Sequence, residues 1–306
     1  MKPARVTVVE VGPRDGLQNE AAPVVTGDKV AFVDLLSAAG LGVIEAGAFV
    51  SPKWVPQMAD SAEVLARITR RPGVRYTALV PNLAGLDRAH RAGVTEVAVF
   101  AAASQSFSQR NINQSIDASL DTYRQVCARA AELGIRVRGY VSTAFGCPFE
   151  GDVPPARVAS VAAALIEMGA FEVAVSDTIG IAHPGRVPPV VNAVAERVPV
   201  PQIALHFHDT RGTALANVLA ALELGVGTFD ASCGGLGGCP YAPGATGNLA
   251  TEDLIYMLDG LDIETGVSLQ ELVEASSYIE PRVGHPLPSR YYQAAKSAPR
   301  KSLRRQ

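Results

Sequence analysis

Short runs rich in Val and Ile alternate with longer, Ala-rich segments of helical period, eight times over in roughly 260 residues, the size of a (β/α)₈ barrel. The strand candidates are residues 6–11, 43–47, 74–80, 96–100, 136–141, 172–176, 203–207 and 228–232. Between them lie helix candidates at 27–39, 61–69, 83–91, 117–133, 155–168, 185–198, 213–224 and 251–258. Five helices run into a glycine just before the next strand (Gly40, Gly93, Gly134, Gly169, Gly225), as left-handed C-caps require. Near-continuous apolar strands fit a parallel sheet covered by helices. The rival is an open, doubly wound sheet, but no Gly-x-Gly-x-x-Gly joins the first strand to the first helix. The reading is therefore a TIM barrel with one further helix at 268–278. Residues 1–285 form a single catalytic domain, and residues 286–306 a basic C-terminal tail.

Composition narrows the function. A net charge of −3 over 306 residues gives no broad basic surface for nucleic acid, and the basic residues at 300–305 read as a frayed terminus. No apolar run approaches the length of a membrane span. Four cysteines, none at CxxC spacing, exclude a disulfide framework and a zinc ribbon. The first strand begins too early to leave room for a signal peptide, so a reducing, cytoplasmic setting is expected.

Barrel chemistry is built at the C-terminal ends of the strands. Arg14 and Asp15 follow the first strand, Glu45 ends the second, and Asp177 lies just past the sixth. The seventh ends in His206-Phe207-His208-Asp209, and the loop after the eighth carries Cys239 and Asn248. His206 and His208 are two apart on a strand, so both imidazoles face one side and suit one metal. Asp15 and Asn248 add oxygen donors. Such a mixed shell favours Mg²⁺, Mn²⁺ or Co²⁺ over a thiolate-rich zinc site. Arg14 is a charged fork for a carboxylate or a developing oxyanion, and Glu45 would orient it, unless the two form only a structural ion pair. Asp177, before Thr178-Ile179-Gly180, equally fits an Asx-type turn. The glycines of GLGGCP at 235–240 make Cys239 a reachable thiol, distinct from an ordinary buried cysteine.

Several segments carry a family likeness. Val9-Glu10-Val11-Gly12-Pro13-Arg14-Asp15-Gly16-Leu17-Gln18-Asn19-Glu20 resembles the opening of 3-hydroxy-3-methylglutaryl-coenzyme A lyases. So do Phe49-Val50-Ser51-Pro52-Lys53-Trp54-Val55-Pro56-Gln57-Met58, Ser176-Asp177-Thr178-Ile179-Gly180, and GLGGCPYAPGATGNLATEDLIYML from Gly235. The Cys239 loop is the most specific of these; Arg-Asp-Gly and His-x-His alone mark only a wider superfamily of metal-dependent lyases and condensing enzymes.

The resemblance implies retro-Claisen cleavage of an acyl-CoA thioester, 3-hydroxy-3-methylglutaryl-CoA, to acetoacetate and acetyl-CoA. It implies that Asp15, His206, His208 and Asn248 hold a divalent cation and that Arg14, Glu45, Asp177, His206 and Cys239 serve the chemistry. Gln18 would lie near the substrate with Arg14, and Glu252 would buttress the site. Lys53 and Arg110 are candidates for the CoA moiety. Ala48 stands where the family commonly has serine, and the tail lacks the terminal cysteine of animal members. A homodimer is ordinary for a barrel of this size. The alternatives are a lyase for a longer 3-hydroxy-3-alkylglutaryl-CoA, a condensing enzyme, and a catalytically silent acyl-CoA-binding barrel.

Overall fold

The computed structural model describes residues 2–238 and 247–297. Eight parallel strands close into a barrel in sequence order: β1 (Thr7–Glu10), β2 (Val43–Ala48), β3 (Arg75–Leu79), β4 (Glu96–Ala102), β5 (Arg136–Ser142), β6 (Glu172–Asp177), β7 (Ile203–Phe207) and β8 (Thr228–Ala231). β8 pairs with β1 over four residues, so there is no open edge and the doubly wound alternative is excluded.

The outer ring consists of α1 (Thr26–Ala38), α2 (Ser61–Arg67), α3 (Leu83–Arg91), α4 (Gln105–Ile112), α5 (Ile116–Glu132), α6 (Pro155–Glu167), α7 (Val187–Ala195), α8 (Ala214–Glu223) and α9 (Thr251–Asp259). The five predicted capping glycines all take positive φ, between 67° and 105°. That conformation frees each chain to turn directly from helix into strand.

The apolar core fills the layer between strands and helices, with Phe32, Leu36, Ile44, Val97, Leu165 and Leu222 among its buried members. Inside the barrel the packing is different. Val9, Val11 and Val43 form a small apolar cluster of their own. Much of the remaining interior is polar and charged: Glu45, Arg138, Tyr140, Asp230 and His206 are each at most 5% exposed. Buried charges of this kind persist only when paired, and the pairings converge on the C-terminal rim.

Three boundaries depart from the sequence reading. A short helix, α4, precedes α5; Ser104 caps it by accepting from the Phe107 N–H at 3.1 Å. The added helix extends to α10 (Leu269–Val283). The segment expected as a tail from residue 286 instead forms α11 (Arg290–Ser297), with Leu287 and Tyr292 buried. The Asp253 carboxylate accepts from Ser289 Oγ at 2.9 Å and from the Tyr291 N–H at 2.7 Å, which pins the start of that helix to α9. Among the described residues, no helix is long and apolar enough to cross a membrane.

Candidate active site

The chain leaves β1 through a single π-helical turn, Gly12–Gly16, in which the Val11 carbonyl accepts from the N–H groups of Arg14, Asp15 and Gly16. This wide turn puts Arg14 and Asp15 side by side at the rim. Asp15 meets His206, on β7, and His208, immediately after it. One donor atom from each of the three lies within 4.8 Å of the others. Asn248, bridged to His208 across the strand ends, completes the group, donating from Nδ2 to Asp15 Oδ2 at 3.0 Å and to the Leu236 carbonyl at 3.1 Å.

The hydrogen bonds fix which atoms remain available. His208 Nδ1 sits 2.8 Å from the Asp177 carbonyl, which can only accept, so Nδ1 carries the proton and Nε2 presents a lone pair. Burial, reinforced by neighbouring His206, lowers the His208 pKa to about 4, leaving it neutral near pH 7. His206 Nδ1 is 3.0 Å from Asp230 Oδ2, a carboxylate–imidazole pair of the kind that orients metal-ligating histidines. Burial disfavours charge on His206, yet the bond and charge of Asp230 outweigh it and raise its pKa. Asp15 is held below the usual carboxylate range: burial opposes ionisation, but Arg14, His206 and His208 outweigh it.

One acceptor has no partner. Asn248 Oδ1 is buried and unbonded beside Asp15 and the histidines, where an orphaned amide oxygen is costly. The imidazole nitrogens of His206 and His208, a carboxylate and this oxygen form a donor set suited to a hard divalent cation, so the residues present fit such an ion.

Arg14 is tied in from the other side. Its Nε donates to Glu45 Oε1 and its Nη1 to Asp15 Oδ1. Burial works against the Arg14 charge, but Glu45 and Asp15 raise its pKa well above the ordinary arginine value. Glu45 Oε2 accepts from Tyr140 at 2.8 Å, and Arg138 donates from Nη1 to the Tyr140 hydroxyl at 3.0 Å. Arg138 also grips Asp230 with both terminal nitrogens, at 2.8 and 3.1 Å. A closed ring results: Arg14, Glu45, Tyr140, Arg138, Asp230, His206, Asp15. Burial disfavours an ionised Asp230, but Arg138 and His206 dominate and bring its pKa down to about 2. Asp230→Asn should therefore weaken divalent-metal affinity by about 10–100-fold, the usual effect of losing an outer partner. Calorimetric titration of the metal checks this, and an unchanged affinity would show that His206 needs no such support.

Above this ring opens a cavity of about 680 Å³, lined by Arg14, Asp15, Gln18, Tyr140, His206 and His208 among others. Gln18 reaches Asp15 Oδ1 from Nε2 at 3.2 Å, so it sits beside the donors, as expected. Two expected residues are placed differently. Glu45 is not at the rim: β2 runs on to Ala48, past an irregularity between Glu45 and Gly47, leaving Glu45 inside the barrel behind Arg14. Asp177 is the last residue of β6 and does not line the cavity. Its two oxygens each accept a backbone N–H, from Ile181 and Ala182, both at 3.0 Å. That is the turn-forming alternative, and burial lifts its pKa to about 6 despite those bonds. Ala48 is buried and off the cavity lining, so the serine hydroxyl it lacks would not face the cavity as Gln18 does. Arg110 lines the mouth, whereas Lys53 does not line the cavity. Cys239 lies outside the described residues; Cys127, Cys147 and Cys233 are free and buried.

Arg138, Tyr140, Asp230 and Glu10 were missed in the sequence. The available signal was a charged residue inside a strand that otherwise reads as apolar, since a buried charge demands a partner. Glu10 faces outward from β1 and ties the first loop to the last. Its Oε1 accepts from the N–H groups of Gly12 and Cys233, both at 2.8 Å, and its Oε2 from Thr251 at 2.6 Å. A Cβ at Gly12 would meet that oxygen at 2.6 Å, so a side chain there would displace the Glu10 carboxylate from its bonds. Glu252 plays a matching part, accepting the Gly234 N–H at 2.9 Å, which supports its expected role as a buttress.

Burial raises the Glu10 pKa from 4.5 to about 7. Between those values the unfolded chain has released the proton and the native state still holds it, so stability falls as pH rises through the window. The loss is on the order of 3 kcal/mol by pH 7. Glu10→Gln should lack this loss, gaining on the wild type between pH 4.5 and 7.5 in denaturant unfolding. A constant difference across that range would mean Glu10 ionises like an exposed carboxylate.

A family model described as HMGL-like matches residues 5–279. The chain belongs to the HMGL-like family. It is 57% identical over 277 residues to a Pseudomonas aeruginosa protein named 3-hydroxy-3-isohexenylglutaryl-CoA/hydroxy-methylglutaryl-CoA lyase, covering 90% of this chain and 92% of that one. The crystal structure of hydroxymethylglutaryl-CoA lyase from Pseudomonas aeruginosa superposes with a TM-score of 0.95 at 55% identity, covering 96% and 98% of the two chains. An HMG-CoA lyase from Acinetobacter baumannii, solved with coenzyme A and 3-methylmalate, gives 0.92 at 39% identity, covering 98% and 97%. The HMGL-like chain is thus a carbon–carbon lyase that cleaves hydroxymethylglutaryl-CoA to acetoacetate and acetyl-CoA. Its substrate class is an acyl-CoA thioester, and its His/Asp cluster is a candidate divalent-metal site.

Proposed function

We propose that Asp15, His206, His208 and Asn248 hold Mg²⁺, Mn²⁺ or Co²⁺, and that Arg14, His206 and Cys239 carry the proton and charge handling of the cleavage. The observation that supports this most is the orphaned, buried Oδ1 of Asn248, a residue bonded to Asp15 through Nδ2, beside the cluster of Asp15, His206 and His208. A bound divalent cation supplies Lewis acidity toward the tertiary hydroxyl and fixes the substrate's orientation.

The remaining work falls to the side chains. Arg14, locked by Glu45 and Asp15, presents its guanidinium to the cavity, where it stabilises the enolate oxygen of the departing thioester fragment. Glu45 and Tyr140 position Arg14. His206 lines the cavity with Nδ1 engaged by Asp230, so its Nε2 either holds the cation or takes the hydroxyl proton, not both; Asp177, off the cavity, orders the loop after β6 and fixes the His208 tautomer through its carbonyl. Cys239 returns a proton to the enolate carbon, a role that rests on the family resemblance of its loop. Gln18 contacts the substrate beside Asp15.

The CoA moiety leaves through the cavity mouth past Arg110. A cytoplasmic homodimer is the proposed form; sedimentation analysis tests the assembly.

Acetoacetate release from hydroxymethylglutaryl-CoA should be abolished by EDTA and restored by Mg²⁺, Mn²⁺ or Co²⁺. Release that is indifferent to EDTA, or absent with every divalent metal, would overturn the metal-assisted reading.

A further inference from the structure

The cavity lined by Arg14 and His206 opens at the C-terminal ends of the strands. A second, smaller cavity of about 260 Å³ opens at the N-terminal ends. Its wall includes the first residues of seven of the eight strands, from Thr7 of β1 round to Thr228 of β8. Its floor is the underside of the buried ring, where Glu45 and Arg138 line it. Both floor charges are already matched. Glu45 is held by Arg14 and Tyr140, while Arg138 is committed to Asp230, to Tyr140 and, from Nε at 2.7 Å, to Glu172.

The mouth of this well is not matched in the same way. Arg75 opens β3 and Arg136 opens β5, on either side of Glu96, which opens β4. Both arginines reach one and the same oxygen, Glu96 Oε2, at 2.6 and 3.4 Å. Two guanidiniums therefore share one carboxylate, and one positive charge at the mouth lacks a counter-charge. Among the described residues, neither guanidinium makes another hydrogen bond, so most of the five N–H donors on each are free for a ligand. The Phe171 ring supports Arg136, its centroid 3.8 Å from Cζ, which restrains the guanidinium without using its donors. The hydroxyls of Thr7, Thr77 and Thr228 belong to the same lining, and none is bonded to a described residue. Like charges held close together repel, and an anion placed between them converts that repulsion into attraction.

We propose that this N-terminal well binds a small oxyanion, a carboxylate or a phosphate, gripped by Arg75 and Arg136 and received by the threonine hydroxyls. Guanidinium forks match both groups in geometry and charge. A volume of about 260 Å³ lies below the roughly 300–1,000 Å³ of pockets for drug-sized ligands, so the ligand is inorganic phosphate or a short-chain carboxylate and not a nucleotide or a CoA thioester. The ring of buried charges separates this well from the substrate cavity, so anion and substrate do not compete for space.

Calorimetric titration of the full chain at fixed ionic strength, with inorganic phosphate and with acetate as separate titrants, tests the site. At least one should bind with a Kd of about 1 mM or tighter, and the tighter of the two identifies which class of oxyanion the well takes. Arg136→Gln should weaken that binding by about tenfold or more, the value of one charge-assisted contact, and leave turnover of hydroxymethylglutaryl-CoA unchanged. Arg75→Gln should do the same, and it serves if the first variant does not fold. Binding of neither titrant would overturn the proposal. So would binding that both variants leave intact, because the anion would then sit at Arg14 or Arg110 in the substrate cavity.

Discussion

His208→Ala is expected to weaken divalent-metal binding by more than the 10–100-fold that loss of an outer partner costs, and to remove turnover at sub-millimolar metal. The size of the effect follows from how completely His208 is prepared as a donor. Its Nδ1 proton is committed to the Asp177 carbonyl, and burial with His206 beside it keeps the ring neutral. No described side chain is placed to replace Nε2, since Asn248 Nδ2 and Asp15 Oδ2 already bond each other at 3.0 Å. Calorimetric titration with Mn²⁺ separates this from a folding defect if far-UV and near-UV spectra are unchanged. An affinity equal to wild type would remove His208 from the metal shell.

Arg14→Gln is expected to lower kcat by about 10²–10³-fold, the usual loss when a charge-stabilising donor is removed, with metal affinity largely retained. It should also destabilise the fold. Glu45 is 1% exposed and would keep only its Tyr140 bond, so an uncompensated buried charge remains, at about 3–5 kcal/mol. The Arg14→Gln/Glu45→Gln double variant should therefore recover much of the lost melting temperature and none of the lost activity. Thermal unfolding together with steady-state kinetics checks both halves. Full activity in the single variant would reduce the Arg14–Glu45 pair to a structural salt bridge.

Much of the site was readable because it is local in sequence. Arg14 and Asp15 adjoin a strand end, and His206 and His208 obey the period-two rule that sends both side chains one way. Glu45 and Asp177 were found as residues but do not stand at the cavity as expected. Glu45 sits behind the rim because β2 extends past it, and Asp177 turns its carboxylate into its own loop because two backbone N–H groups there need acceptors. Of the closed ring from Arg14 round to Asp15, only the Arg14–Glu45 pairing was anticipated. The Glu45–Tyr140, Arg138–Asp230 and Asp230–His206 links span 95, 92 and 24 positions, and no periodicity relates Arg138 to Asp230.

The sequence by itself determined the eightfold β/α alternation, its glycine stops and which strand-end residues stand as candidate metal donors, because strand period, helix capping and strand-end chemistry act over a few residues. Only the tertiary structure decided which oxygen is left without a partner and which imidazole nitrogen is free. Those are properties of side chains brought together by barrel closure, where burial turns an unbonded Asn248 oxygen or a lone charge into a free-energy cost that distant residues must offset.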